Sequence, residues 1–419
     1  MQSAEASVAA RGGPFFGWWV VFVSAIGMAT GVASVNLFAF GVFQKPLMQE
    51  FGWTATQISG VLVVGTLVTV ASSPFVGMLV DRLGARRVAM ASMLLLCALF
   101  GSLYWLTANL WHFYLVFGLM PILAAGTSSV AYARIVSRWF DRRRGLALGL
   151  TLAGVGLGGI FVPSYSNWLI ETQGWRVAYV GLGAISVLVT LPLAFFFLRE
   201  SPESMGLRPD GAPAHDADGR ERPATTLVGY EAKAALRQGT LWLMVAAFAV
   251  LGLAIGGTMI PLVPILEDRG IDRATALGMA AFLGIGLVLG RIVAGVLMDR
   301  FHAPYVAVGF LLGPIVGLTL LAGGATGAEA IAATFLLGLA AGAEVDVIAY
   351  MVGRYFGTRA YATLYGVLYA AWTFGSGFGP AVSSLALDRT GSYAPALTFY
   401  VGVMLVACLL LLRLGPYPK

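Results

Sequence analysis

Three charged residues lie where charge is costly. Arg291 sits in an almost wholly apolar run, Thr275 to Met298, and Glu344 and Asp346 sit in a second, 328–354. A charge at the bilayer centre costs about 3 kcal/mol on insertion scales. Such residues therefore face a cavity, a partner charge or a substrate. A guanidinium keeps its proton, so Arg291 remains a cation and needs an anion. Its planar fork suits bidentate capture of a carboxylate. A structural pair with Glu344 or Asp346 meets the same need, and substrate and acid can compete for one arginine. Arg291 lies eight residues before Asp299, about 12 Å along a helix. Glu344 and Asp346 lie ten and eight residues before Arg354, at a similar depth. Two residues apart on a helix is about 200°, so the two acids face different ways. One is expected to face the cavity or Arg291, the other its own half. A carboxylate in an apolar site can carry a proton. Both are therefore proton-coupling candidates, with the deeper Glu344 slightly favoured, and a fixed salt bridge is the alternative.

Other polar groups are sparser. Tyr369 and Trp372 share a helix face at a spacing of three and are expected to line a cavity. Asn36 is a lone amide in an apolar run and is expected to face the cavity or cap a helix break. Tyr132 is a weaker candidate. Arg134 lies one turn inside Arg138, placed to join a gate or to snorkel toward the interface. The glycines of GVGLGG (154–159) follow no strand and sit mid-run, so close helix packing explains them better than a nucleotide loop.

The elements that must hold these residues are membrane helices. Of 419 residues, 58% are hydrophobic and 11% charged, with a mean hydropathy of +0.83. Soluble domains carry about 25% charged residues. Apolar runs long enough to span a bilayer fall at 17–43, 56–80, 87–108, 112–138, 144–169, 177–198, 240–266, 273–298, 304–324, 328–354, 360–386 and 393–413. This predicts an all-α polytopic membrane protein of twelve transmembrane helices. Residues 199–238, rich in Pro, Asp, Arg and Ala, read as a solvated linker, with His215 in a polar loop. Residues 1–14 are polar and lack a signal-peptide apolar core. With both termini cytoplasmic, 19 of the 26 Lys and Arg lie on that side and five outside. That bias fixes the expected orientation and explains the net charge of +6 without a nucleic-acid partner. Cys97 and Cys408 lie in apolar runs, which suggests neither a disulfide framework nor a metal site. No metal, cofactor or obligate protein partner is expected beyond the lipid bilayer.

The chain repeats at an offset of about 218 residues. Gly77-Met-Leu-Val-Asp81-Arg82 matches Gly295-Val-Leu-Met-Asp299-Arg300, Arg138-Trp-Phe matches Arg354-Tyr-Phe, and Gly149 to Pro163 matches Gly366 to Pro380. The expected organisation is two pseudo-symmetric six-helix halves, 1–198 and 239–419, joined by the cytoplasmic linker 199–238. Parallel repeats of this kind bind substrate near the midplane between the halves.

On these features the chain resembles the major facilitator superfamily. GMLVDRLGARR (77–87) matches that family's loop signature after the second helix. The resemblance implies a gate in which Asp81 meets a helix N-terminus of the opposite half, with Arg82, Arg86, Arg134, Asp299 and Arg300 as further gating candidates. A narrower resemblance is to the monocarboxylate transporter and oxalate–formate antiporter group. It rests on FGVFQKPLMQEFGWTATQISG (40–60), SRWFDRRRGLALG (137–149) and Gly290-Arg291. In that group an arginine of the eighth helix binds the substrate carboxylate, and Arg291 falls on that position. Leu287 stands where animal monocarboxylate carriers have an acidic residue, and Phe38 near their first-helix lysine. The oxalate carrier's lysine is absent from Leu368-Tyr-Ala-Ala-Trp372. One buried cation suits one carboxylate. The expectation is a bacterial inner-membrane carrier of a small monocarboxylate coupled to protons. An organic-anion exchanger is the nearest rival, and efflux of other small molecules a further one. No nucleophile–base pair points to an enzyme. The expected substrate-binding set is Arg291, Tyr369, Trp372, Asn36 and Glu344.

Overall fold

Residues 15–211 and 229–418 are described by the structure, a computed structural model. Arg11 and His215 lie outside them. Twelve helical segments follow the predicted spans. In the first half these are α1 (Gly17–Phe38, continued by Phe40–Phe51), α2 (Ala55–Leu83), α3 (Ala85–Trp105), α4 (Leu110–Leu123 and Ser129–Trp139), α5 (Arg144–Gln173) and α6 (Trp175–Phe197). In the second they are α7 (Gly239–Met259, then Leu262–Asp268), α8 (Arg273–Met298), α9 (Ala303–Ala322), α10 (Gly327–Tyr355), α11 (Tyr361–Thr390) and α12 (Ala394–Leu412). Ten of these segments are long and apolar enough to cross a membrane. α4 falls short because it is broken, and α11 because it carries Tyr, Trp, Ser and Gly along its length.

The repeat extends to contacts that sequence matching does not reveal. At one end, Glu50 accepts from the Trp175 indole and pairs with Arg176 at the start of α6. These contacts hold the Glu50 carboxyl below its ordinary range, the indole donor first. At the matching positions of the second half, Asp268 accepts from the Tyr393 backbone N–H, 2.9 Å away, at the start of α12. At the other end, Glu200 accepts from the N–H groups of Ala85 and Arg86 at the start of α3. Its counterpart Tyr417 accepts from Ala303 N at the start of α9, 2.9 Å away. Trp139 donates to the Arg199 carbonyl as Tyr355 donates to that of Gly415. In each half the chain leaving the last helix folds back to satisfy orphan N–H groups of the third.

These straps revise the reading of 199–238 as wholly solvated. Its first part also engages Arg138 through Glu203 and the backbone of Asp141 and Arg142 through Asp210. Its last part docks on the second half, where Tyr230 donates to the Phe356 carbonyl and Glu231 pairs with Arg359. Residues 212–228 lie outside the described residues.

Two helix breaks face each other in the first half. α1 is interrupted at Gly31, whose backbone is extended, and the Thr127 hydroxyl accepts from Val32 N at 3.1 Å. α4 is interrupted at 124–128, where Ser128 is extended. Nonhelical backbone at membrane depth is tolerated where it borders a cavity or is buried in protein. In the second half, α8 and α10 run side by side at backbone contact. Gly286 and Gly290 of α8 abut the carbonyls of Phe335 and Leu339, while Gly338 and Gly342 of α10 abut those of Leu283 and Leu287. Small residues at a four-residue spacing permit this approach.

A Cβ on Gly290 would collide with the Leu339 carbonyl, whereas Gly284 faces open space. Gly290→Ala is expected to cost about 1–3 kcal/mol by overpacking and to lower the thermal unfolding midpoint in detergent. Gly284→Ala is expected not to lower it.

Candidate functional site

The glycine contact between α8 and α10 brings Arg291 and Asp346 together. Arg291 directly follows Gly290, and Asp346 lies one turn beyond Gly342. The guanidinium donates from Nη1 to Asp346 Oδ1 at 3.1 Å, with side-chain exposures of 9% and 0%. This pair is almost wholly desolvated. Arg291 Nε and Asp346 Oδ2 remain without hydrogen-bond partners. α5 covers the pair from the other half: a Cβ on Gly149 would lie 2.6 Å from the Arg291 carbonyl oxygen and 3.8 Å from Asp346 Oδ2.

Glu344 points elsewhere, as the two-residue spacing requires. It accepts from the Trp372 indole N–H at 2.9 Å, and its second oxygen has no partner. Of the two acids expected near Arg291, the structure selects Asp346; Glu344 makes no ion pair among the described residues. Tyr369 and Trp372 share a face and extend into a longer ladder. Tyr361, Tyr365, Tyr369 and Trp372 stack in succession, with centroids 6.2, 6.0 and 5.8 Å apart. The i, i+4, i+8 spacing of the first three is legible in the sequence and passed unremarked there. Tyr365 also donates across the halves to Ser129 at 2.9 Å.

A cavity of about 110 Å³ lies beside this ladder. Asn36 and Tyr369 border it, together with both broken helices. Arg291, Trp372 and Glu344 do not. The expected substrate-binding residues thus fall into two groups, an ion pair with its indole-bound neighbour and a cavity, joined through Tyr369. Tyr132 is buried but does not border the cavity.

The polar contacts between the halves, among the described residues, concentrate at the Asp81 end. Asp81 accepts from Ala362 N at 3.1 Å, Thr363 N at 2.8 Å and Thr363 Oγ1 at 2.7 Å, at the N-terminus of α11. Asp299 accepts from Gly145 N at 2.7 Å and Leu146 N at 3.0 Å, at the N-terminus of α5. A carboxylate there satisfies orphan N–H groups and meets the positive end of a helix dipole. Burial raises the Asp299 carboxyl above its ordinary value, opposed by those two donors. Gly145 and Gly295 make the fit possible, since a Cβ on either would strike the other's carbonyl. Arg354 adds a link to Asp141 at 3.3 Å.

Arg134 does not snorkel. It is buried and joins Asp81, 2.9 Å away, to Glu200. Three other gating candidates lie outside these contacts. Arg82 and Arg300 are exposed and make no ion pair among the described residues. The Arg86 guanidinium donates to the Phe195 carbonyl at 2.7 Å, within its own half. Glu200, Thr363 and Asp141 were missed. Glu200 was hidden because a charge just past a helix end reads as ordinary solvated linker.

A family model for the Major Facilitator Superfamily matches residues 18–345 and 261–419. The chain belongs to the Major Facilitator Superfamily, and is an integral-membrane transporter. It is 28% identical over 403 residues to monocarboxylate transporter 11 of Mus musculus, covering 91% of this chain and 84% of the relative. It is 27% identical over 308 residues to monocarboxylate transporter 13 of Bos taurus, covering 73% and 68%. The crystal structure of the human organic anion transporter MFSD10 superposes with a TM-score of 0.69 at 15% identity, covering 94% of this chain and 99% of that one.

Removing one member of a buried ion pair strands the other charge, at about 3–5 kcal/mol. Asp346→Leu is therefore expected to lower the thermal midpoint strongly. The double variant Arg291→Met/Asp346→Leu is expected to recover most of the loss in the same detergent assay.

Proposed function

We propose that this transporter carries a small monocarboxylate together with a proton, by alternating access. The observation that carries the reading is the buried Arg291–Asp346 contact, with a donor on one partner and an acceptor on the other left over. A substrate carboxylate offers Arg291 the same pair of oxygens as Asp346, and can replace it. The displaced Asp346 is then a buried carboxylate without a cation, a costly state until it takes a proton. One anion and one proton enter together, and the charge of the interior is unchanged. Glu344 has an indole donor but no cation. With one guanidinium against two buried acids, Glu344 holds a proton throughout, and Asp346 becomes the residue that exchanges one. The names of the two relatives support the substrate class.

In this reading the halves 1–198 and 239–419 are the rocking bodies and 199–238 is their tether. Asp81, with Arg134 behind it, and Asp299, with the Arg354–Asp141 link beside it, lock one end. The Lys and Arg bias supports a cytoplasmic position for that end and for both termini, in a bacterial inner membrane.

Uptake of labelled monocarboxylates into proteoliposomes tests the reading. Arg291→Ala is expected to reduce uptake at least about tenfold, the equivalent of about 1.4 kcal/mol. Asp346→Asn is expected to abolish accumulation driven by a proton gradient while keeping exchange of labelled for unlabelled acid. Gradient-driven accumulation by Asp346→Asn would contradict proton carriage by this residue and favour the anion exchanger. For the lock, spin labels at the exposed positions 82 and 300 report separation of the halves. Asp81→Asn and Asp299→Asn are each expected to shift that distance distribution to longer values.

A further inference from the structure

We propose that the cavity beside Tyr369 receives the tail of the transported acid, and that Asn36 makes the carrier prefer acids bearing a hydroxyl on that tail. This inference rests on the carboxylate reading above and adds what lies beyond the carboxylate.

Size sets the first limit. A cavity of about 150 Å³ holds one benzene; this one, at about 110 Å³, has room for a few heavy atoms. The walls set the second. No charged residue borders the cavity, and its polar members are Asn36, Thr69, Ser73, Ser128 and Tyr369. Three of the hydroxyls have already given their protons to nearby carbonyls: Thr69 to Gly65 at 2.7 Å, Ser73 to Thr69 at 2.6 Å and Ser128 to Ala125 at 2.6 Å. What they have left to offer is lone pairs. The Asn36 amide oxygen is buried without a partner, and a turn about its terminal torsion presents it to a bound group. The wall therefore offers acceptors beside the N–H donors of the Asn36 amide and the Tyr369 hydroxyl, and a group that both donates and accepts matches it. An ammonium group would find no carboxylate there, so the matching group is a neutral hydroxyl.

Position supplies the rest. The breaks in α1 and α4 form much of the wall, through Val32, Ala33 and Asn36 on one side and Ala125 and Ser128 on the other. Tyr369 belongs both to this wall and to the aromatic ladder ending at Trp372, whose indole binds Glu344, two residues before Asp346. An acid held at Arg291 thus has its tail directed past Tyr369 to Asn36. An amide oxygen without a partner costs free energy that a hydroxyl relieves and an alkyl tail does not.

The test uses matched probes, propionate and butyrate against their 2-, 3- and 4-hydroxy derivatives, competing for proteoliposome uptake of a labelled monocarboxylate. In wild type, at least one hydroxy acid should compete at least about tenfold better than its parent. Asn36→Leu should bring that ratio close to one. Ala33→Leu, which fills the cavity and leaves the amide in place, should weaken the longer hydroxy acids while sparing acetate. Equal competition in wild type, or a preference unchanged in both variants, overturns the assignment while uptake that still needs Arg291 leaves carboxylate transport standing. Absence of uptake of any acid, or uptake indifferent to Arg291→Ala, overturns the carboxylate reading and this assignment with it.

Discussion

A permanent cation inside a membrane dictates what must surround it. Arg291 cannot shed its proton, and hydrocarbon offers it nothing. Asp346 answers this from one helix away, and four glycines let the two backbones come close enough for the contact. Isolated from solvent, such a pair is weak evidence of stability, because desolvation offsets much of the attraction. In the proposed function its value lies in exchangeability, since an ion pair that a substrate anion opens would be a switch, whereas an apolar contact of equal volume would not.

The same economy recurs at the closed end. Asp81 and Asp299 each close the interface by accepting from the first N–H groups of a helix in the opposite half. Carboxylate-to-backbone contacts need no partner side chain, which in the proposed alternating access would let them be made and broken as rigid bodies move. Arg134 and Glu200 hold Asp81 from behind, while Asp299 has no equivalent buried arginine, and Arg354 instead reaches across to Asp141. The two halves solve one problem with different chemistry, as they do where Glu200 caps α3 and Tyr417 caps α9.

Much of this was legible in the sequence, because bilayers impose simple rules. Twelve apolar runs and the 218-residue repeat are consequences of hydrocarbon thickness and duplicated packing, and both can be counted. The depth of Arg291, Glu344 and Asp346 followed from helical rise, and their divergent faces from the 200° between alternate residues. Which acid faces Arg291 was not legible, since it depends on the rotation of α10 that the Gly338 and Gly342 contacts set. The positions of the breaks, Gly31 and 124–128, were hidden, because apolar sequence around them reads as continuous helix. Asn36 pointed to a cavity or a break but located neither. Glu200 escaped for a related reason: two of its partners are backbone groups, which leave no mark in the sequence, and the third, Arg134, lies 66 residues away.

In the proposed cycle a substrate carboxylate takes the place of Asp346 on Arg291, and Asp346 then binds a proton. Infrared difference spectroscopy of the purified transporter, with and without a saturating monocarboxylate, reads that proton. Substrate is expected to produce a new protonated-carboxyl band that is absent in Asp346→Asn. Substrate binding with no such band, or with a band that persists in Asp346→Asn, would contradict it.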